Sequence, residues 1–272
     1  MALHNNLKDA EGYLARMEAS VREKARIADY IPPTVTSLLD VGCANGAITR
    51  VLAEALPGAR VLGIDLDTSF IAQAHVQHGA LAPRLQFESV YLRDMLLRDT
   101  SFDVVSFISV LHEFYSYGEG KSSVLKALAD AHELLRPGGE IVIRDMVPMS
   151  YAKQNHTGAE SAILKVRAQA AYSVELKEFE SRYGTMVTTY DLNHFLLKYF
   201  YTDNWEHECA EHYMPITIEQ YEQIFTLLDM ELFHRETYRL PYLQGKWRDD
   251  FGFTDTELSD LITTTILVAR KK

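Results

Sequence analysis

The sequence predicts an α/β protein built on a doubly wound, mostly parallel sheet of seven strands. Three observations predict it. Between residues 37 and 144, short apolar runs alternate with amphipathic segments, which is the rhythm of βα units. Runs such as Val61-Leu-Gly-Ile-Asp65 are apolar at successive positions, as strands covered on both faces are. A glycine-containing turn joins the first run to the helix after it.

Residues 12–30 read as a helix, with apolar positions near helical spacing, ended by Pro32 and Pro33. Ser37-Leu-Leu-Asp-Val41 is the first strand, and residues 47–56 form a helix that stops before Pro57-Gly58. A strand at Val61–Asp65 and a helix over 68–78 follow, with Asp67 or Thr68 as N-cap. Strands are expected at Leu85–Ser89 and Phe102–Val110, then a helix over Lys121–Leu135, closed by Arg136-Pro-Gly-Gly139, and a strand at Glu140–Arg144. After Met146 the rhythm breaks. Residues 147–215 are mostly helical and hold eleven aromatic residues. Thr217-Ile-Glu-Gln220 reads as a capping box opening a helix to Leu228, and strands at Glu231–Arg239 and Thr263–Arg270 complete the sheet. The expected organisation is an N-terminal helical segment (1–35), an α/β core (36–146 and 216–272) and an inserted helical cap (147–215).

The 272 residues suffice for one large domain that buries roughly three quarters of its unfolded surface. A net charge of -11 argues against gripping a phosphate backbone over a broad face, so nucleic acid is not the expected partner. The two cysteines, Cys43 and Cys209, lie far apart and in no metal-ligand spacing, which predicts no disulfide framework and no metal. No apolar run approaches the roughly 20 residues of a membrane span. The first residues, MALHNNLKDAEG, have no basic start followed by an apolar core, so a cytoplasmic protein without signal peptide is expected.

The segment with most chemical content is Leu38-Leu-Asp-Val-Gly-Cys-Ala-Asn-Gly46. A strand ends, the chain turns at Gly42, and a helix starts near Gly46, so backbone amides face whatever lies against the turn. A second acid, Asp65, ends the next strand, where α/β nucleotide sites hold ribose hydroxyls. The glycines are spaced Gly42-x-x-x-Gly46, unlike the G-x-G-x-x-G of nicotinamide-binding folds. A loop acid would also repel a pyrophosphate.

This segment resembles the glycine-rich motif of class I S-adenosylmethionine-dependent methyltransferases. Val61–Asp65 resembles their second motif, Phe102-Asp-Val-Val-Ser-Phe-Ile108 their fourth-strand motif, and Leu134-Leu-Arg-Pro-Gly-Gly-Glu140 the turn before their fifth strand. The four stand in the family's order and spacing, and the resemblance covers 36–145 and 216–270. It implies a Rossmann-like sheet, S-adenosyl-L-methionine as cofactor and methyl transfer as activity. It also implies roles for residues. Gly42, Ala44, Asn45 and Gly46 would line the methionine part, and Asp40 would lie near its amino group. Asp65 would accept from the ribose hydroxyls, Leu66 would flank the adenine, and Ser109 to His112 would lie beside the transferring methyl. Two positions depart from the family. Ala44 replaces the middle glycine and narrows the pocket. Tyr91 stands where an acid often meets the adenine amino group, so either Tyr91 packs on the adenine or Asp94 substitutes.

His112 is the best base candidate, by its position after the fourth strand and its near-neutral pKa. The other reading is that it only packs or bonds a neighbour. Glu113 would orient His112 or contact an amine acceptor. Tyr115 and Tyr117, on the loop that follows, would line the acceptor pocket. Ser109-Val-Leu-His112 lacks the Asp/Asn-Pro-Pro-Tyr/Phe tetrad of enzymes that methylate planar amino nitrogens, and no Pro-Cys pair serves pyrimidine carbon chemistry. In Trp205–Tyr213, His207 and His212 are five apart and share neither a helix nor a strand face, against a metal site. Glu211, His212 and Tyr213 are placed near the acceptor instead. From the cap, Tyr190, His194, Tyr201 and Trp205 are acceptor-contact candidates, and 147–215 serves as a lid over the sheet or as a homodimer surface. The N-terminal helix, with Tyr13, Arg16, Arg22 and Lys24, either closes over the cofactor or is a solvated amphipathic helix. The expected acceptor is a small molecule methylated on oxygen or nitrogen. An RNA or protein acceptor and a non-catalytic cofactor-binding module are the alternatives.

Overall fold

The computed structural model describes residues 20–153 and 157–272 of the chain. Seven strands form one sheet: β1 (Ser37–Val41), β2 (Arg60–Asp65), β3 (Leu85–Ser89), β4 (Phe102–Ile108), β5 (Leu135–Asp145), β6 (Met230–Tyr238) and β7 (Thr264–Lys271). Their order is β3-β2-β1-β4-β5-β7-β6. The pairs among β1 to β5 are parallel, and β7 runs antiparallel to both β5 and β6. The order reverses between β1 and β4. At such a switch point the loops leaving the two strands diverge and open a crevice at their carboxyl ends.

The helices of the first half are α1 (Val21–Lys24), α2 (Ala47–Ala55), α3 (Thr68–His78), α4 (Leu111–Tyr117) and α5 (Lys121–Leu134). Those of the second half are α6 (Thr157–Ala168), α7 (Ser173–Tyr183), α8 (Thr189–Leu196), α9 (Trp205–Ala210), α10 (Ile218–Leu227), α11 (Pro241–Phe251) and α12 (Asp255–Leu258).

Strand periodicity sends alternate side chains to opposite faces. Leu39, Val105, Phe107, Ile141 and Leu267 pack on one face against Val124 and Leu128 of α5 and Phe225 of α10. Leu38, Val61, Val104, Val142 and Val268 pack on the other against Leu52 of α2 and Ile71 of α3. Both faces are therefore apolar, which accounts for the continuous apolar runs in the sequence.

Several expectations shift. Of the helix expected over 12–30, residues 12–19 lie outside the described residues, and the rest is α1 followed by a 3-10 turn, Ala25–Tyr30. β4 ends at Ile108 rather than Val110, because Ser109 takes a positive φ of 56°. The stretch with Tyr115 and Tyr117 is helix α4, not a loop. Its seven residues have no side-chain N-cap, so neither periodicity nor a cap signalled it. β5 is longer than expected: Phe102 pairs with Leu135 and Val104 with Glu140, so Arg136–Gly139 bulge from a strand already begun.

The third apolar cluster belongs to the cap. Phe179, Phe195, Tyr199 and Trp205 pack there with Leu243, Trp247 and Phe251 of α11. The cap's core thus draws on residues beyond 147–215. Trp247 is 0% exposed and its indole nitrogen donates to the Leu196 carbonyl at 3.1 Å. Trp247→Ala leaves a large void and an unpaired carbonyl, and is expected to lower unfolding free energy by about 3–5 kcal/mol in urea titration. A loss under about 1 kcal/mol would show that the cluster is not a true core.

Candidate active site

A cavity of about 620 Å³ lies at the carboxyl ends of β1, β2, β4 and β5, under the cap. That is within the size range of small-molecule sites. Gly42, at φ 73°, turns the chain off β1 against the Val110 side chain. A Cβ at Gly42 would stand 2.4 Å from a Val110 methyl, so only glycine fits between this turn and Val110.

Ala44 also has a positive φ, 47°, and its N–H donates to Asp65 Oδ2 at 2.8 Å. This hydrogen bond, donated to the Asp65 carboxylate, holds the loop in a conformation that costs a non-glycine residue of order 1 kcal/mol. Asp65 Oδ1 accepts from the Asp67 amide at 2.9 Å. Each carboxylate oxygen takes one amide donor and keeps a further lone pair for a ligand hydroxyl. Leu66 and Tyr91 line the same end with large exposed apolar surfaces.

Beside Gly42 the wall becomes charged. Arg144, on β5 and 4% exposed, donates from Nη1 to Ser109 Oγ at 2.8 Å and pairs through Nη2 with Glu23. Its Nε is buried with no hydrogen-bond partner among the described residues. Glu23 also accepts from the Tyr238 hydroxyl, and Lys24 lines the cavity next to it. Burial, then the Arg144 charge, lowers the Lys24 pKa to about 8, with Glu23 opposing.

His112 is the centre of the polar wall. Its Nδ1 lies 2.8 Å from Asp145 Oδ1, and its backbone N–H donates to Asp145 Oδ2 at 3.2 Å. A carboxylate only accepts, so Nδ1 carries a proton and Nε2 is left to the cavity. Nε2 lies 3.7 Å from Glu211 Oε2, and the Tyr213 ring stands edge-on 5.3 Å away. Burial alone would lower the His112 pKa, but the Asp145 charge and hydrogen bond, with Glu211 and Glu113, hold it at about 9. Glu113 also lines the cavity, and burial and the nearby Glu211 push its pKa up. Burial opposes ionisation of Glu211 too, yet a hydrogen bond from His207 and the charge of His112 hold it below its ordinary value. Its Oε1 accepts from the Tyr117 hydroxyl at 2.9 Å.

The cavity brings together Gly42, Ala44, Asp65, Leu66, Tyr91 and Ser109 of the expected cofactor residues. It also brings together His112, Glu113, Tyr117, Tyr201, Glu211 and Tyr213. It does not reach Asp40, Asn45, Gly46 or Asp94. Asp40 is tucked between β1 and α2, accepting from Thr49 at 2.7 Å and Ser106 at 2.8 Å. Burial raises its pKa to about 6, against those hydrogen bonds. Gly46 caps α2 on the far side, against Phe87, and Asn45 is buried beside it. Asp94 is exposed on the 3-10 turn Leu92–Leu97. Tyr115 of α4 and, in the cap, Tyr190, His194, Trp205 and His212 stand behind the wall rather than in it. His194 and His212 stack at 4.6 Å, and Tyr190 donates to the Met214 carbonyl at 2.7 Å. His194 Nε2 accepts from the Tyr213 amide at 3.3 Å, Tyr115 meets His212 edge-on at 5.4 Å, and Trp205 donates to Glu178 at 2.8 Å. Together they fix the segment that carries Glu211 and Tyr213. Of the N-terminal candidates, Lys24 lines the cavity, Arg22 is exposed, and Tyr13 and Arg16 lie outside the described residues.

Sequence reading missed Asp145, Arg144, Glu23 and Glu208. The signal for the first two was present: two charged residues ending an apolar central strand are costly to bury and mark its carboxyl end.

Comparison with known proteins agrees with this geometry. Residues 39–141 match the family model described as a methyltransferase domain. The trans-aconitate 2-methyltransferase of Deinococcus radiodurans is 28% identical over 183 residues, covering 67% of this chain and 59% of that protein. Among solved structures, an O-methyltransferase family protein from Burkholderia thailandensis superposes with a TM-score of 0.59 at 12% identity, over 99% of this chain and 61% of that chain. CalO1, a methyltransferase in calicheamicin biosynthesis solved with S-adenosylhomocysteine bound, gives 0.55 at 14% identity, over 96% of this chain and 56% of that one. The chain thus carries a methyltransferase domain over residues 39–141, on a fold shared with these solved methyltransferases. It spans less than two thirds of the length of the curated relatives it matches. Among the described residues no helix is long and apolar enough to cross a membrane.

Proposed function

We propose that the chain transfers a methyl group from S-adenosylmethionine to a proton-bearing oxygen or nitrogen of a small molecule, a hydroxyl foremost, with His112 as general base. The observation that carries this is the buried His112–Asp145 pair with Nε2 left to the cavity.

The cavity residues fit the cofactor. Gly42, at its positive φ, brings bare backbone to the cavity wall, Asp65 keeps lone pairs for ribose hydroxyls, and Leu66 and Tyr91 offer apolar surface for an adenine. The unpartnered Arg144 Nε and the Lys24 ammonium suit a carboxylate, and Glu23 suits an ammonium. S-adenosylmethionine, when bound, supplies an electrophilic methyl on a sulfonium.

The chain's own part is to hold and deprotonate the acceptor. Asp145 fixes the imidazole with Nδ1 protonated, so the acceptor's proton is taken at Nε2. In the free protein the charged form of His112 predominates at neutral pH. A cation held nearby favours the neutral imidazole, so the base is armed in the loaded site and largely protonated in the empty one. The 147–215 segment brings Glu211 and Tyr213 to the cavity, and α4 brings Tyr117. An acidic chain favours a small acceptor over RNA.

The test is incubation with methyl-labelled S-adenosylmethionine and separate panels of phenols, alcohols, amines, bulk RNA and protein. Label in a hydroxyl or amine product supports the reading. Label only in RNA or protein, or cofactor binding without any product, removes it.

A further inference from the structure

We propose that Lys198 is a positioning residue for this site: its buried ammonium fixes the carbonyls of Glu208 and Glu211, and so presents the Glu211 carboxylate to His112. The role in catalysis rests on the reading of His112 as base, but the placement of Glu211 does not.

Lys198 follows the end of α8 and is 0% exposed. A buried ammonium is costly unless its protons are bonded. Among the described residues no carboxylate lies within ion-pair distance of it. Its Nζ donates instead to the Glu208 carbonyl at 3.0 Å and to the Glu211 carbonyl. It also lies 4.3 Å from the centre of the Tyr213 ring and 5.3 Å from that of Tyr183. These carbonyls close the carboxyl end of α9, where helix carbonyls lack intrahelical partners and attract a cation. Tyr183 donates to the same place, to the Cys209 carbonyl at 2.8 Å and the Glu211 carbonyl at 2.9 Å.

The side chains of Glu208 and Glu211 both line the cavity. The Glu208 carboxylate accepts from the Tyr213 hydroxyl. The Glu211 carboxylate reaches His112 at 3.7 Å, Tyr117 at 2.9 Å and His207 at 3.2 Å. One cation thus grips the backbone of the two residues whose acids form the cap side of the site. A position needing only to fill this aromatic core would take leucine or methionine without the cost of burying a charge. That cost is visible: burial lowers the Lys198 pKa to about 7, against the pull of Glu211, Cys209 and Glu208. The other groups facing it are Arg182 from α7 and His194 from α8, the helix it follows. Those facing His112 are Asp145 from β5, Glu113 from α4 and Glu211.

The test is an NMR titration of the His112 ring nitrogens in the full chain without acceptor, so its outcome stands apart from whether methyl transfer is found. Without the grip, Glu211 moves away and the imidazolium loses a neighbouring anion. In Lys198→Met the His112 titration should fall by about one pH unit. Glu211→Gln should lower it likewise, and the double variant should fall no further than Glu211→Gln alone. S-adenosylhomocysteine affinity should stay within about twofold in Lys198→Met, since Lys198 touches none of the residues placed around the cofactor. An unmoved titration in folded Lys198→Met, or additive shifts in the double variant, would overturn the proposal. If Lys198→Met does not fold, Tyr183→Phe takes its place, removing one donor to the Glu211 carbonyl while keeping the ring. It should shift the titration in the same direction, and an unmoved titration there overturns the proposal equally.

Discussion

His112→Ala should lower kcat/KM for a hydroxyl acceptor by about 100-fold or more, while affinity for S-adenosylhomocysteine stays within about twofold. The split follows from placement. His112 Nε2 lies 3.7 Å from Glu211 Oε2, and its other nitrogen is engaged by Asp145. The variant loses a proton acceptor without losing a cofactor contact. The loss should be smaller for acceptors of low pKa, which ionise without help, and a series of substituted phenols would display that trend. Full activity in His112→Ala would leave the imidazole with a packing role only.

The second large effect concerns Asp145. Asp145→Asn should lower kcat/KM by about 10- to 100-fold and move its pH dependence. In the wild type the base works only when neutral, so kcat/KM for the free protein should rise with pH and level off near pH 9. The sign follows from the same pair. Asp145 favours the imidazolium, so its neutralisation moves the limb toward lower pH, closer to an ordinary histidine. The amide also accepts or donates at Nδ1 according to its rotamer, so part of the population presents the wrong tautomer. Stability should respond in parallel. A histidine whose pKa is raised in the folded state stabilises it fully below the unfolded value of about 6.5. That contribution disappears as pH rises through about 9, and should be absent in His112→Ala. A limb unmoved in Asp145→Asn would mean that the pair does not set the protonation of His112.

Much of this molecule was legible in its residues. Apolar runs at 37–41, 61–65 and 102–108 could only be strands of a covered parallel sheet, and Gly42 with Asp65 marked the crevice end. Thr217 and Gln220 form the capping box read from their spacing. What stayed hidden depends on packing between distant segments. α11 begins with Pro241 and carries Gly245, and its stripe of Leu243, Trp247 and Phe251 is recognisable only against the aromatics of α7 and α8. In the site, His112 stood out by its place after β4. Its partner Asp145 lies 33 residues on, beyond a strand boundary set one residue short. The cap aromatics show the opposite error. Tyr190, His194 and Trp205 are of the right type to touch a ligand, but helical spacing turns them inward, where they hold Glu211 and Tyr213 from behind. Asp40 misled in the same way. An acid in the glycine-rich motif suggests a ligand contact, whereas Thr49 and Ser106 show it fastening α2 to the sheet.

This cavity should take S-adenosylmethionine with Asp65 on the ribose. Calorimetric titration of the purified chain and its Asp65→Ala variant with S-adenosylhomocysteine, with NAD as control, tests it most directly. The expected result is micromolar binding of S-adenosylhomocysteine to the wild type, none of NAD, and weakening by about 1–3 kcal/mol in Asp65→Ala. No binding of S-adenosylhomocysteine by the folded wild type, or equal affinity in the variant, would contradict it.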